Sequence, residues 1–592
     1  MNTHRHGDRF GTFQRRWLRS IAPALLLILA PTALLANPTG GSVVAGSATI
    51  TTSGSTLNVN TGSAQTIINW QDFGIAAGEI TNINQPNSSS TTLNRVLGGN
   101  VSEIYGTLNS NGNVILVNPN GVLVGAGGVV NTQGSFLAST LNLSDSDFLS
   151  GNYHLTGNST ASVTNLGQIT SGGKDIFLIA QHVSNSGSLT AHNGTVGLAA
   201  GNDVSIAQSG DQRLSVALDS ATVARNGTGI DNQGTIEAVK AELVANGNIY
   251  SLAVNNGGIV RATGAGNVGG QVWLLGHGGT VKNTGTIVAS NADGTGGAIE
   301  TSGDDVSIAG VVQTGAGGSW LIDPATLIID AGAASTLATA LDGGTNVTQQ
   351  ATSVVELDSA LAWSGAGVLT LDAGTGSIVF NASLTSSGSG GLAFVYGSGY
   401  TLNSGAAINL STASSLTING QAYTVLGDVA SLVAAVNGNA AGYYALGSNA
   451  TASGTYTASA IASLSGAIDG LGHAIGGFTL SASSGTAIGF VGTNTGTIRN
   501  LALSNVSVTF ADSLAGSSAY IGGLVGYSTG TLSGVSVSGT LSVSASNSTT
   551  TPYVLPRVGG LAGYSSGTVS NASASASISV SGSSRGVSMM VA

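Results

Sequence analysis

A five-residue phrase recurs along the chain and restricts its fold more than any single motif. It reads Asn165-Leu-Gly-Gln-Ile169, Asn185-Ser-Gly-Ser-Leu189, Asn232-Gln-Gly-Thr-Ile236 and Asn283-Thr-Gly-Thr-Ile287. A second phrase recurs at Gly201-Asn-Asp-Val-Ser-Ile206 and Gly303-Asp-Asp-Val-Ser-Ile308. The steps of 20, 47 and 51 residues match one, two, and two to three units of about 20–25 residues. Each unit holds short alternating runs, such as Gln271-Val-Trp-Leu-Leu275, between Gly/Asn turns, and cannot bury its apolar face alone. Stacked units share one interior, with backbone bonds from coil to coil and Asn side chains laddering at the corners. The prediction is an all-β right-handed parallel β-helix, with a tandem of β-sandwiches as the second reading. A solenoid end exposes unpaired strand edges and needs a cap. The stretch before Val114, with Ile67, Trp70, Phe73 and Tyr105, is predicted to supply the cap and the first coils.

Composition narrows the function classes. Only 7% of the 592 residues are charged and 5% are aromatic. The Val, Ile and Leu spaced between Gly, Ser, Thr and Asn argue against a disordered stalk. Five Arg precede or border the apolar run Ile21–Ala30, and small residues end the segment at Ala36. Residues 1–36 therefore read as a signal peptide cleaved after Ala36. Its removal takes the formal net charge from −11 to −15, against binding to nucleic acid or an anionic membrane. With no cysteine, the chain can stay unfolded while crossing membranes. The His residues show no metal-ligand spacing, and no cofactor is indicated. No later segment is a membrane-span candidate.

The run Asn113-Val-Ile-Leu-Val-Asn-Pro-Asn-Gly-Val-Leu-Val-Gly125 is read as strand, tight turn, strand. Pro119 fixes its own φ and biases Asn118 towards an extended conformation. Asn120 and Gly121 tolerate left-handed angles, and both Asn side chains can bond their own backbone. Upstream lie Ile68-Asn-Trp70-Gln-Asp-Phe73-Gly-Ile75, Ile83-Asn84-Gln85-Pro86-Asn87 and Leu93-Asn94-Arg95-Val96, and downstream Gly127-Gly-Val-Val-Asn131-Thr-Gln-Gly134-Ser-Phe136-Leu-Ala-Ser139. This ordered set, over roughly residues 37–306, resembles the N-terminal secretion domain of filamentous-haemagglutinin-like exoproteins of the two-partner secretion family of Gram-negative bacteria. A second Asn-Pro-Asn motif ending in Leu, frequent in that family, is missing. The resemblance implies a parallel β-helix whose capped N-terminal part is recognised by an outer-membrane transporter. It points to Asn118, Pro119, Asn120 and Gly121, with Asn94 and Arg95, as recognition residues. It also implies a secreted or surface-associated adhesin-like protein that meets a host-cell or bacterial surface glycan or protein.

On this reading residues 37–315 are the secretion domain and shaft, and 316–440 a β-rich connecting region. Gly318-Ser-Trp320-Leu-Ile-Asp323-Pro324 looks like a phrase that ends such a shaft. Short helices are predicted at Ala334–Leu341 and at Gly427–Val436, the second with Asp428 at or beside its N-cap. Within 441–592 a new phrase appears at Gly489-Phe490-Val491-Gly492, Gly523-Leu524-Val525-Gly526 and Gly560-Leu561-Ala562-Gly563, at steps of 34 and 37 residues. It resembles the Gly-Leu-aliphatic-Gly (GLUG-type) repeat of bacterial surface proteins, and its glycines suit tight strand corners. Ser584–Ala592 breaks the pattern, so a longer parent exoprotein is expected.

β-Helices also serve as polysaccharide lyases and hydrolases, so a β-helical carbohydrate-active enzyme is the alternative. Such sites need carboxylates, often with Lys or Arg, converging from adjacent coils. The acidic pairs Asp145/Asp147, Asp304/Asp305 and Glu356/Asp358 have no basic partner at coil spacing. Residues adjacent in a strand point to opposite faces. Gly264-Ala-Gly266 lacks the Lys and the strand-to-helix setting of a phosphate loop. No catalytic or metal-binding residue is assigned.

Overall fold

Alternation builds the shaft. Strands such as Thr56–Thr61 and Ser162–Asn165 turn every second side chain into the interior, as the two-residue strand period requires. The computed structural model describes residues 37–217, 226–512, 519–545 and 556–582. The expected signal peptide, its cleavage at Ala36 and the stretch Ser584–Ala592 lie outside them. Each coil lays down short strands that pair in parallel with those of the coils before and after, giving a right-handed parallel β-helix. One column starts at Gln65–Trp70 and passes through Thr91–Val96, Asn113–Val117, Phe136–Ser139 and Ile176–Ala180. It continues coil by coil to Leu416–Ile418. A single buried apolar cluster fills the interior over the same span.

The first coil is closed by two antiparallel strands. Ala48–Ser53 folds back on Thr56–Thr61, and Ser42–Ala45 lies against Gln65–Trp70. This is the cap the sequence demands, confined to residues 42–53; Trp70 and Phe73 sit fully buried just inside it.

Inside the shaft the recurrent Asn forms a continuous ladder. Asn165 Nδ2 donates to Asn185 Oδ1 at 2.8 Å, Asn185 to Asn232 at 2.8 Å, Asn232 to Asn256 at 2.7 Å and Asn256 to Asn283 at 2.7 Å. All five residues are buried. The spacing arithmetic needs one correction, and its other open step resolves within the expected range. Asn185 is the direct register partner of Asn232, so the step of 47 residues is one coil with an excursion, not two coils. The step of 51 residues is two coils, with Asn256 as the rung between.

That excursion builds an outer layer the sequence reading missed. Asp203–Ile206 and Leu214–Val216 join Asn142–Leu143 and Tyr153–Thr156 in a four-stranded antiparallel sheet outside the solenoid. Helix α1 (Asp145–Ser150) leads into it. Its N-cap Ser144 accepts from Asp147 N at 3.0 Å, and Gly151 ends it with φ +74°, a left-handed C-terminal residue. A second apolar cluster, including Ile115, Leu137, Phe148, Phe177 and Val204, glues this sheet to the outside of the shaft.

Strand pairing passes through residue 316 without a break, from Ala298–Ile308 to Ser319–Pro324 to Asn346–Gln350. The change of texture there marks the entry of helix α2 (Ala331–Asp342), whose N-cap Asp330 accepts from Ala333 N at 2.8 Å, rather than an end of the shaft. Helix α3 (Val429–Gly438) starts at Asp428, which accepts from Ser431 N at 2.8 Å. The strand direction reverses just before it. Leu416–Ile418 and Gln421–Leu426 form an antiparallel hairpin around Asn419 and Gly420, both at positive φ, the pairing that tight hairpins favour. Beyond it a separate core begins.

The later repeats stack in register: Val491, Val525 and Ala562 are successive partners. The first glycine of each phrase, Gly489, Gly523 and Gly560, sits in the bend between two strands, at the corner expected of it, whereas the second lies within the next strand. A Cβ on Gly526 would lie 2.4 Å from Ile488 N, and one on Gly563 2.2 Å from Ile521 N. These positions require glycine because coils approach each other backbone to backbone.

Candidate functional site

The corner Asn118–Gly121 is built inward. Asn118 is fully buried and uses its whole side chain. Nδ2 donates to Asn100 O and to Ser102 Oγ, both at 2.9 Å, while Oδ1 accepts from Asn120 N at 2.9 Å and Asn120 Nδ2 at 3.1 Å. Asn120 Nδ2 also donates to Gly98 O at 2.7 Å. Gly121 N donates to Asn118 O at 3.0 Å, closing the turn. Gly121 has φ +118°, where L side chains are strained, and a Cβ there would lie 3.2 Å from Ser162 O. Pro119 is exposed, and its carbonyl accepts from Ser159 Oγ at 2.6 Å.

Two of these bonds go to a loop of the preceding coil, Leu97-Gly98-Gly99-Asn100-Val101, and a third to Ser102 just after it. The loop is further pinned by Leu97 N donating to Trp70 O at 2.8 Å and Asn100 Nδ2 donating to Asp72 Oδ2 at 2.8 Å. It presents two aliphatic side chains to solvent, Leu97 at 63% and Val101 at 41% exposure. The tetrapeptide is therefore the clamp, and the loop with Pro119 is the surface. Sequence reasoning found the clamp and overlooked the loop. The pair of glycines flanked by Leu97 and Val101 was the available signal, since such residues mark an ordered turn only when something external holds it.

Asn94 and Arg95 do not join that surface. Asn94 is buried; its Oδ1 accepts from Trp70 Nε1 at 3.0 Å and its Nδ2 donates to Ile115 O at 3.3 Å. Arg95 is the register partner of Val117, but its guanidinium turns to the outer layer, donating to Leu143 O and Asp145 Oδ1, each at 2.7 Å. It fastens α1 to the shaft. The reading that Asp145 has no basic partner is thus corrected: the outer layer brings Arg95 to it from two coils earlier. Asp147 is held below the usual carboxylate range by the Ser144 hydroxyl and Asn152.

Other carboxylates serve the fold as well. Glu242 is wholly buried yet accepts from Arg213 N at 2.9 Å and Leu214 N at 2.7 Å; burial raises its pKa against those bonds and against Arg213 and Lys240. Asp358 accepts from Asn381 Nδ2 at 2.6 Å. Among the described residues no group of three or more His, Cys, Asp or Glu is placed to hold a metal ion, and no helix is long and apolar enough to cross a membrane.

Residues 35–274 match the TPS secretion domain family, a range containing the corner, the 97–101 loop and the outer layer. The chain is 34% identical over 224 residues to a heme/hemopexin-binding protein of Haemophilus influenzae, covering 36% of this chain and 24% of that protein. A second protein of that name from Haemophilus influenzae is 38% identical over 100 residues, covering 17% of this chain and 11% of the other. The chain thus spans about a quarter of the length of the first relative and less of the second. Among solved structures, the HMW1 secretion domain of Haemophilus influenzae aligns with a TM-score of 0.46 at 20% identity, over 64% of this chain and 100% of that one. A filamentous hemagglutinin secretion domain aligns with a TM-score of 0.29 at 13% identity, over 62% and 100%.

Proposed function

We propose that the chain, which carries a TPS secretion domain in its first half, is an exoprotein passed across the outer membrane by a partner transporter that reads the loop held by Asn118–Gly121. Residues 1–36 act as the signal peptide for the inner membrane, with cleavage after Ala36. Beyond export, the shaft and the GLUG-type repeats of 441–592 form a secreted or surface-associated adhesin-like body that meets a glycan or protein on another surface. The observation carrying the export reading is that a buried Asn clamp holds exposed Leu97 and Val101 in place. Exposed apolar side chains grouped on an ordered frame mark a surface for a protein partner. The polysaccharide-enzyme alternative is weaker, because Asp145, Glu242 and Asp358 are tied into structural bonds.

The test separates clamp from surface. Asn118→Ala removes four hydrogen bonds from a buried site and is expected to cost about 2–4 kcal/mol. Gly121→Val imposes strain of about 1–3 kcal/mol. Leu97→Ser with Val101→Ser alters only exposed side chains. Mature protein in the culture supernatant is measured for each variant beside its thermal melt after purification. All three are expected to lose export, with the double Ser variant melting like wild type. Wild-type export of the double Ser variant would remove the loop from the recognition surface, and wild-type export of all three would make the stretch an ordinary β-corner.

A further inference from the structure

The later repeats carry a second feature that export does not use. Two successive coils place four side chains in a square: Tyr520 is the register partner of Arg557, and Tyr527 of Tyr564. The Tyr527 and Tyr564 rings stack at 4.9 Å and 10°, and Tyr520 meets both, at 5.3 and 5.5 Å. The Arg557 guanidinium lies 5.5 Å from the Tyr520 ring centre and 5.7 Å from that of Tyr564. None of the four belongs to the interior of these coils, which Ile521, Leu524 and Val525 fill. The three tyrosines are half-buried and Arg557 is exposed.

The coil before the square has Ala487 and Thr493 at the two corresponding positions. Both are too small to cover a tyrosine ring, so the aromatic column begins abruptly at Tyr520 and Tyr527. The charge setting is also unusual. Among the described residues Arg557 has no ion-pair partner, and Asp512 is the one carboxylate side chain between residues 471 and 592. Three Arg against that Asp give this segment a formal charge of +2, in a chain whose net charge is −11. Arg499 is consumed by Asp469.

We propose that Tyr520, Tyr527, Arg557 and Tyr564 form a binding site for a carboxylate-bearing sugar, as found in an acidic polysaccharide. The apolar face of a pyranose ring packs on a phenol ring, and a planar guanidinium pairs with a carboxylate through two parallel hydrogen bonds. The phenolic hydroxyls are donors and acceptors for the sugar hydroxyls. An acidic polymer is repelled by the rest of this chain and accepted where the local charge is positive. This site goes beyond the export reading and does not depend on it.

Purified full-length mature protein is titrated with trigalacturonate and with neutral galactotriose by calorimetry. The acidic sugar is expected to bind about tenfold more tightly, the scale of one charge-assisted contact. Arg557→Gln should abolish that preference while leaving weak neutral binding. Tyr564→Leu should weaken both sugars, with an unchanged far-UV spectrum in either variant. Equal affinity of wild type for the two sugars, or a preference that survives Arg557→Gln, overturns the proposal.

Discussion

Replacing Asn232 by Ala removes the middle rung of the Asn ladder, and the structure sets its cost. Two hydrogen bonds vanish, from Asn185 Nδ2 at 2.8 Å and to Asn256 Oδ1 at 2.7 Å. Both partner groups stay behind in wholly buried residues. A buried polar group left unpaired costs about 1–3 kcal/mol, so two come to about 2–6 kcal/mol. Asn283 closes the ladder: it accepts from Asn256, and its own Nδ2 finds no partner among the described residues. Asn283→Ala therefore strands one group and is expected to cost about 1–3 kcal/mol, half as much. Because solenoid stability is a sum over neighbouring coils, the loss should be local. Urea melts of the full mature chain, read by hydrogen exchange at the amides of Ile236 and Val260, give both numbers. If Asn283→Ala costs as much as Asn232→Ala, or Asn232→Ala costs under about 0.5 kcal/mol, the ladder is not what holds these coils.

Three further outcomes are expected. Asp469, fully buried, accepts from Arg499 Nε at 2.6 Å, Tyr400 OH at 2.5 Å and Leu471 N at 3.0 Å, tying the last coil before the hairpin to the coils after it; Asp469→Ala should cost about 3–5 kcal/mol by leaving the Arg499 charge buried and unpaired, seen as a separate early transition on melting, and a single unchanged melt would contradict this. Burial raises the Glu242 pKa, so the folded state holds that proton more tightly and stability falls as pH rises from the ordinary Glu value to the raised one; Glu242→Gln should flatten that limb of a pH–stability curve. Burial lowers the pKa of His473, whose Nε2 donates to Ile408 O at 2.9 Å, so stability should fall as pH drops below the ordinary His value of 6.5 towards the lowered one, and His473→Gln should remove that dependence in urea melts at graded pH.

Much of the architecture was written in the sequence because it depends on local periods. Alternating apolar runs fix which side chains enter the shaft, and the Asn-x-Gly phrase at Asn165, Asn185, Asn232 and Asn283 marks the ladder rungs. Asp428 announces its helix through a capping side chain. The turn at Asn118–Gly121 is likewise a matter of Pro, Asn and Gly backbone preferences. What the sequence could not settle are contacts across coils. The same phrase lies in the outer antiparallel sheet at Asp203–Ile206 and in the shaft at Ala298–Ile308, where it pairs with different neighbours. Arg95 reaches Asp145 over 50 residues, and Leu97 with Val101 owes its fixed position to Asn118 and Asn120 one coil later. Spacing along the chain determines what can stack; which side chains meet is decided by coil lengths and excursions that no local pattern encodes.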